Sequence, residues 1–86
     1  MKQEFDALLE KLKTERDEMQ LKMHLASMEV KEEFSEAEKQ WEYVKQKASE
    51  IADDSVETTD DFIAAAKIVG EELKDAYQRI AKRIQD

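Results

Sequence analysis

From Phe5 to Ile51 the seam residues recur at steps of four and three, with neither Gly nor Pro to interrupt them. The row reads Phe5, Leu9, Leu12, Arg16, Met19, Met23, Ala26 and Val30, then Phe34, Ala37, Trp41, Val44, Ala48 and Ile51. Alternating fours and threes keep one stripe of a helix facing a partner, as in a left-handed coiled coil. The steps 26→30→34 are two consecutive fours, a stutter that unwinds the supercoil toward straight helices. The spacing predicts a long helix 1 from about residue 3 to about residue 52.

At the centre of that run, Met19–Val30 (MQLKMHLASMEV) is apolar on two faces. Met19, Met23, Ala26 and Val30 lie on the seam, while Leu21, Leu25 and Met28 follow i, i+4, i+7 on the opposite side. Met19, Leu21, Met23 and Leu25 also alternate with period two, but helical flanks and unbranched Met and Leu favour helix over strand.

The first break is ADDSVETTDD, residues 52–61, rich in the side chains that cap helices and compete with them internally. Asp54 with Glu57, or Thr58/Thr59 with Asp60 and Asp61 in the first turn, would start the next helix. A turn over about 53–58 and a helix 2 over about 59–84 follow, the start lying between Ser55 and Asp60. Helix 2 carries Phe62, Ala66, Val69, Leu73, Ala76 and Ile80, flanked by a second row of Ile63, Gly70, Tyr77 and Ile84. That double stripe is wider than a two-helix seam requires. Gly70, within it, is expected to permit a close helix approach, since a helical Gly otherwise costs about 1 kcal/mol relative to Ala.

The expected fold is therefore all-α: a single helical-hairpin domain over 1–86, antiparallel, with one long and one short helix. A helix of about 50 residues spans ~75 Å, and helix 2 only ~40 Å. Folded back, helix 2 covers the hairpin core of Phe34, Trp41, Val44 and Ile51 with Phe62, Val69, Leu73 and Ile80. It leaves Phe5 to Met23 bare, and a lone hairpin buries too little to be stable. Antiparallel pairing of two long helices about their midpoint near residue 27 solves this. It predicts a coiled-coil or helical-bundle homo-oligomer, a homodimer at least, with a tetramer open through the second face. The oligomer interface is then Phe5, Leu9, Leu12, Arg16, Met19, Leu21, Met23, Leu25, Met28 and Val30. On that arrangement Arg16 meets a carboxylate such as Glu15 or Asp17 of another chain, or its stem reaches out to water.

Composition narrows the function classes. Charged residues make up 42% of the chain and Pro is absent, the profile of long helices rather than of β or α/β domains. A net charge of −8, spread along the chain, repels nucleic-acid phosphate. The absence of Cys excludes disulfides and thiolate chemistry and fits a reducing compartment. MKQEFDALLEKLK has no signal-peptide apolar core, and no run approaches the ~20 apolar residues of a membrane span, so a cytoplasmic location is expected.

Few residues suggest chemistry. His24, the one His, lacks the Glu-x-x-His partners of a di-iron bundle and reads as a surface residue. Glu29, Glu32, Glu33 and Glu36 share helical spacing, but a straight helix holds them too far apart to enclose a cation. They read as a solvated face, with Glu38 and Glu42 compensated by Lys45. Trp41 reads as a core anchor and Tyr43 as an exposed contact for a partner. No phosphate loop, nucleophile elbow or Cys/His constellation is present, so no catalytic residue, metal site or cofactor is assigned.

The segment Asp61–Arg83 contains Glu72-Leu73-Lys74-Asp75-Ala76-Tyr77. In this it resembles the terminal helix of small bacterial coiled-coil proteins of unknown function, which pair a long charged helix with a short turn. The resemblance implies a bacterial cytoplasmic protein and carries over no catalytic residue. Secreted helical hairpins with a Trp-x-Gly turn are similar in size only, because Trp41 lies well inside helix 1. The expected function is a non-enzymatic homo-oligomeric module for protein interaction or structure, with itself and an unidentified protein as partners. The alternative is an amphipathic protein of membrane surfaces, disfavoured by acidic charge and by stripes without flanking basic rows.

Overall fold

Ser27 divides the expected long helix in two. The computed structural model describes residues 2–53, 55 and 57–85. Its elements are α1 (Lys2–Lys22), a 3-10 turn (Met23–Leu25), α2 (Met28–Ala52) and α3 (Asp60–Gln85). No strand occurs among the described residues. At the break Ala26 is extended and its N–H still donates to the Met23 carbonyl at 3.1 Å. Ser27 then caps α2, its hydroxyl accepting from the Val30 N–H at 3.3 Å, with Glu29 in the first turn where the helix dipole favours an anion.

The continuous helix over 3–52 is thus corrected, and the reason is burial. Folding back lets α3 cover the first part of the seam. Phe5, Leu8, Leu12 and Met19 become buried in the same chain. At about 1.5–3 kcal/mol for each such side chain, this outweighs a handful of interrupted helical hydrogen bonds at about 1 kcal/mol each. The hairpin of one long and one short helix gives way to three helices of 21, 25 and 26 residues.

Side-chain contacts fix the directions. Arg16 meets Glu38, and Leu9 and Lys13 share a groove with Trp41 and Lys45, so α1 and α2 are antiparallel. Phe34 lies beside Tyr77, and Arg83 reaches Glu29 and Glu33, so α2 and α3 are antiparallel as well. Lys67 reaches Glu4 at 2.8 Å, Leu8 lies at Gly70, and Met19 and Lys22 line a cleft with Tyr77 and Ala81, so α1 and α3 are parallel. The result is an up–down–up bundle about 43 Å long and 18 by 17 Å across. α3 packs extensively against both other helices, which touch each other less.

That central role explains the double stripe of α3. Its deepest side chains are Ile63, Ala66, Leu73, Tyr77 and Ile80, with Phe62 and Val69 partly buried beside them. The flanking row faces the interior as much as the main one does. Gly70 is buried against α1, where an added Cβ would stand 2.8 Å from Leu8 Cδ2. The close approach it permits is that of α1, an element the hairpin had placed elsewhere. On α2 the buried residues are Val30, Phe34, Ala37, Trp41, Val44 and Ile51.

The turn between α2 and α3 uses its acidic and hydroxyl side chains locally. Asp53 accepts from the Ser55 N–H at 2.9 Å and from its hydroxyl at 2.7 Å, which holds the Asp53 carboxyl below its usual range. Thr59 caps α3, its hydroxyl accepting from the Phe62 N–H at 3.2 Å, with Asp60 and Asp61 in the first turn. The other cap reading, on Asp54, lies outside the described residues.

Candidate functional site

The expected oligomer interface separates into two groups. Phe5, Leu12, Met19 and Val30 are buried in the chain's own core, and Leu9 and Met23 pack against it. These six side chains are not free to form an interface while the bundle is closed. Leu21, Leu25 and Met28 are the other group, 77%, 70% and 73% exposed. They come from the last turn of α1, the 3-10 turn and the first residue of α2, all at one end of the bundle. None of them is used by the core, and water faces most of each. Large apolar side chains gathered at one chain reversal are the kind of surface that marks an interaction site. Exposed His24 lies between them in the same turn.

Arg16 belongs to neither group. Its guanidinium forms a fork with Glu38, Nε and Nη2 each donating to a carboxylate oxygen at 2.8 Å, and it lies 5.6 Å from the centre of the Trp41 ring. The carboxylate that Arg16 meets is that of Glu38. The hydrogen bonds to Glu38 hold the guanidinium protonated even more firmly than usual. Planar geometry suits Arg to both contacts at once, which Lys could not reproduce.

On the other side of α1, a cleft of about 180 Å³ opens between α1 and α3, lined by Glu15, Glu18, Met19 and Lys22 and by Tyr77, Gln78 and Ala81. The Tyr77 hydroxyl and Glu15 Oε2 are both buried, and among the described residues neither has a hydrogen-bond partner. Burial pushes both groups above their ordinary range, Lys11 and Lys74 partly offsetting the effect at Glu15. A phenol that can donate beside a carboxylate that accepts offers polar recognition. Sequence reading offers Glu15 only as a carboxylate for Arg16, because it sits off the seam; the burial of its Oε2 follows from the fold-back.

The acidic row on α2 is exposed to water along its length, and three of its members are also paired. Arg83 bridges Glu29 and Glu33 from the end of α3, and Glu36 pairs with Lys39 at 3.4 Å. Among the described residues no three His, Cys, Asp or Glu side chains are placed to hold a metal ion. Tyr43 is 41% exposed, and Lys47 Nζ lies 5.3 Å from its ring and 5.2 Å from that of Phe62. Ile68, 60% exposed on α3, is a further apolar surface residue that the seam pattern did not single out. No helix among the described residues is long and apolar enough to cross a membrane. Compared with known proteins, the chain matches no family model, no curated protein and no solved structure.

Proposed function

We propose that this chain is a non-enzymatic, homo-oligomeric helical-bundle module that acts by presenting a surface to other protein chains. One observation carries the reading: Leu21, Leu25 and Met28 stand exposed together at one end while the core is complete without them. Retaining three large apolar side chains in water has no benefit to a closed monomer, whereas covering them on association recovers about 1.5–3 kcal/mol for each fully buried side chain. A net charge of −8 favours a protein partner over an anionic bilayer for the same surface.

Light scattering on the native protein and on Leu21→Glu/Leu25→Glu tests this. The native protein is expected to be dimeric or larger, and the double variant to drop in order with its helical circular dichroism unchanged. A native monomer at every concentration would remove the homo-oligomeric part of the reading. If that monomer also sedimented with neutral vesicles, a lipid surface would replace a protein as the partner.

A further inference from the structure

The segment that reverses the chain has the sequence of a helix. Across Met23–Ser27 there is no Gly or Pro, and two apolar rows run through it at helical spacing. Met19, Met23, Ala26 and Val30 keep steps of four, three and four, and Leu21, Leu25 and Met28 keep four and three. A turn has no need of helical periodicity on two faces. In the closed bundle the first row is only partly used there, Met23 and Ala26 lying half-buried against the core, and the second row faces water.

We infer, building on the homo-oligomeric reading, that two copies of this chain assemble by exchanging α1, the turn at Met23–Ser27 straightening so that α1 and α2 become one helix. Each α1 then packs against α2 and α3 of the other copy. The contacts of α1 with α2 and α3 are kept, now between chains: the Arg16–Glu38 fork, the Glu4–Lys67 pair and the seat of Leu8 on Gly70. The symmetry closes on the hinge. Arg16 and Glu38 are equally far from residue 27, so the two-fold axis of the exchanged pair passes Ser27.

The balance between the two forms rests on the hinge, because burial of Phe5, Leu8, Leu12 and Met19 is common to both. The closed form has the Ser27 cap and pays no association entropy. The exchanged form gains a continuous backbone ladder in place of a 3-10 turn and two non-helical residues. Short hinges of this kind favour exchange. It also lines up Leu21, Leu25 and Met28 as one row on the outer side of the straight helix, available for joining pair to pair.

The test uses the salt bridge itself. Chains labelled with ¹⁴N and ¹⁵N are mixed unfolded, refolded together and treated with a carbodiimide, which joins touching carboxylates and amines without a spacer. Mass spectrometry then reads the Glu4–Lys67 linked peptide. Exchange predicts mixed-isotope links in statistical proportion within the dimer. A dimer whose links are all within one isotope overturns the exchange but leaves homo-oligomerisation standing; a monomer at all concentrations overturns both. Two hinge variants supply a second readout. Ser27 has φ −68° and follows an extended Ala26, which suits Pro in the closed form, whereas Pro inside the straight helix would break it. Ser27→Pro and Ser27→Ala both lose the cap. Exchange predicts that Ser27→Pro weakens dimerisation at least about a hundredfold relative to Ser27→Ala. Equal dimerisation of the two overturns it.

Discussion

Glu15 sits where folding has removed water from a carboxylate without giving its Oε2 a partner among the described residues. Because burial raises its folded pKa above the unfolded value, the ionised form is disfavoured in the bundle. The resulting penalty is fully present at neutral pH, declines as pH falls through the folded pKa, and is gone below the ordinary carboxylate range. Glu15→Gln is therefore expected to melt higher than the native protein at neutral pH, with the advantage vanishing near about pH 4. Thermal melts of both proteins across that range check it. An advantage independent of pH would assign the effect to packing. Glu4 has the opposite sign: Lys67 holds its carboxyl low, and the stability this pair adds above the carboxylate range is lost on acidification.

At the scale of elements, α3 is governed by how closely α1 approaches it. A methyl at Gly70 would clash with the end of Leu8 and touch Leu12 at ordinary contact distance, so the Cβ clash and the gain in helix propensity oppose each other in Gly70→Ala. Gly70→Leu has no such compensation and is expected to destabilise the bundle by about 1–3 kcal/mol, overpacking the α1–α3 contact. Chemical denaturation of the two variants separates these outcomes; a Gly70→Leu protein as stable as native would mean that α1 is not seated there. Thr59 was one of two caps that side-chain chemistry left open for α3, while helical class was legible from spacing, as was the need for a close approach at Gly70. The break at Met23–Ser27 was not. Its one signal is Ser27 followed by Glu29, and a single hydroxyl carries little weight against two helical stripes that run straight through it. Leu8, buried in the structure, was passed over for Leu9 because a one-partner seam and a seam shared between two neighbours select adjacent residues. The width of the α3 stripe already said that more than one helix must face it; which chain supplies that helix is a matter of free energy that periodicity does not encode.

For the molecule as a whole, charge opposes any meeting of two copies. The bundle carries −8 on a body 18 by 17 Å across, so at about 0.01 M salt, with a Debye length of ~30 Å, each copy feels nearly all of the other's charge. At about 0.15 M the length falls to ~8 Å and the repulsion becomes local. Association is expected to strengthen over that range, visible as a rising average mass in light scattering at fixed protein concentration. Weakening instead would mean that ion pairs, rather than apolar surface, hold the copies together.

The stack of Arg16 on Trp41 has an optical consequence. Trp41 is the one indole in the chain, and the cation resting near its ring belongs to α1. Its emission should therefore report the seating of α1 directly, shifting when that helix leaves and returning when a helix of either origin takes its place. The molecule carries its own fluorescent gauge for the docking of that helix, with no dye or added label required.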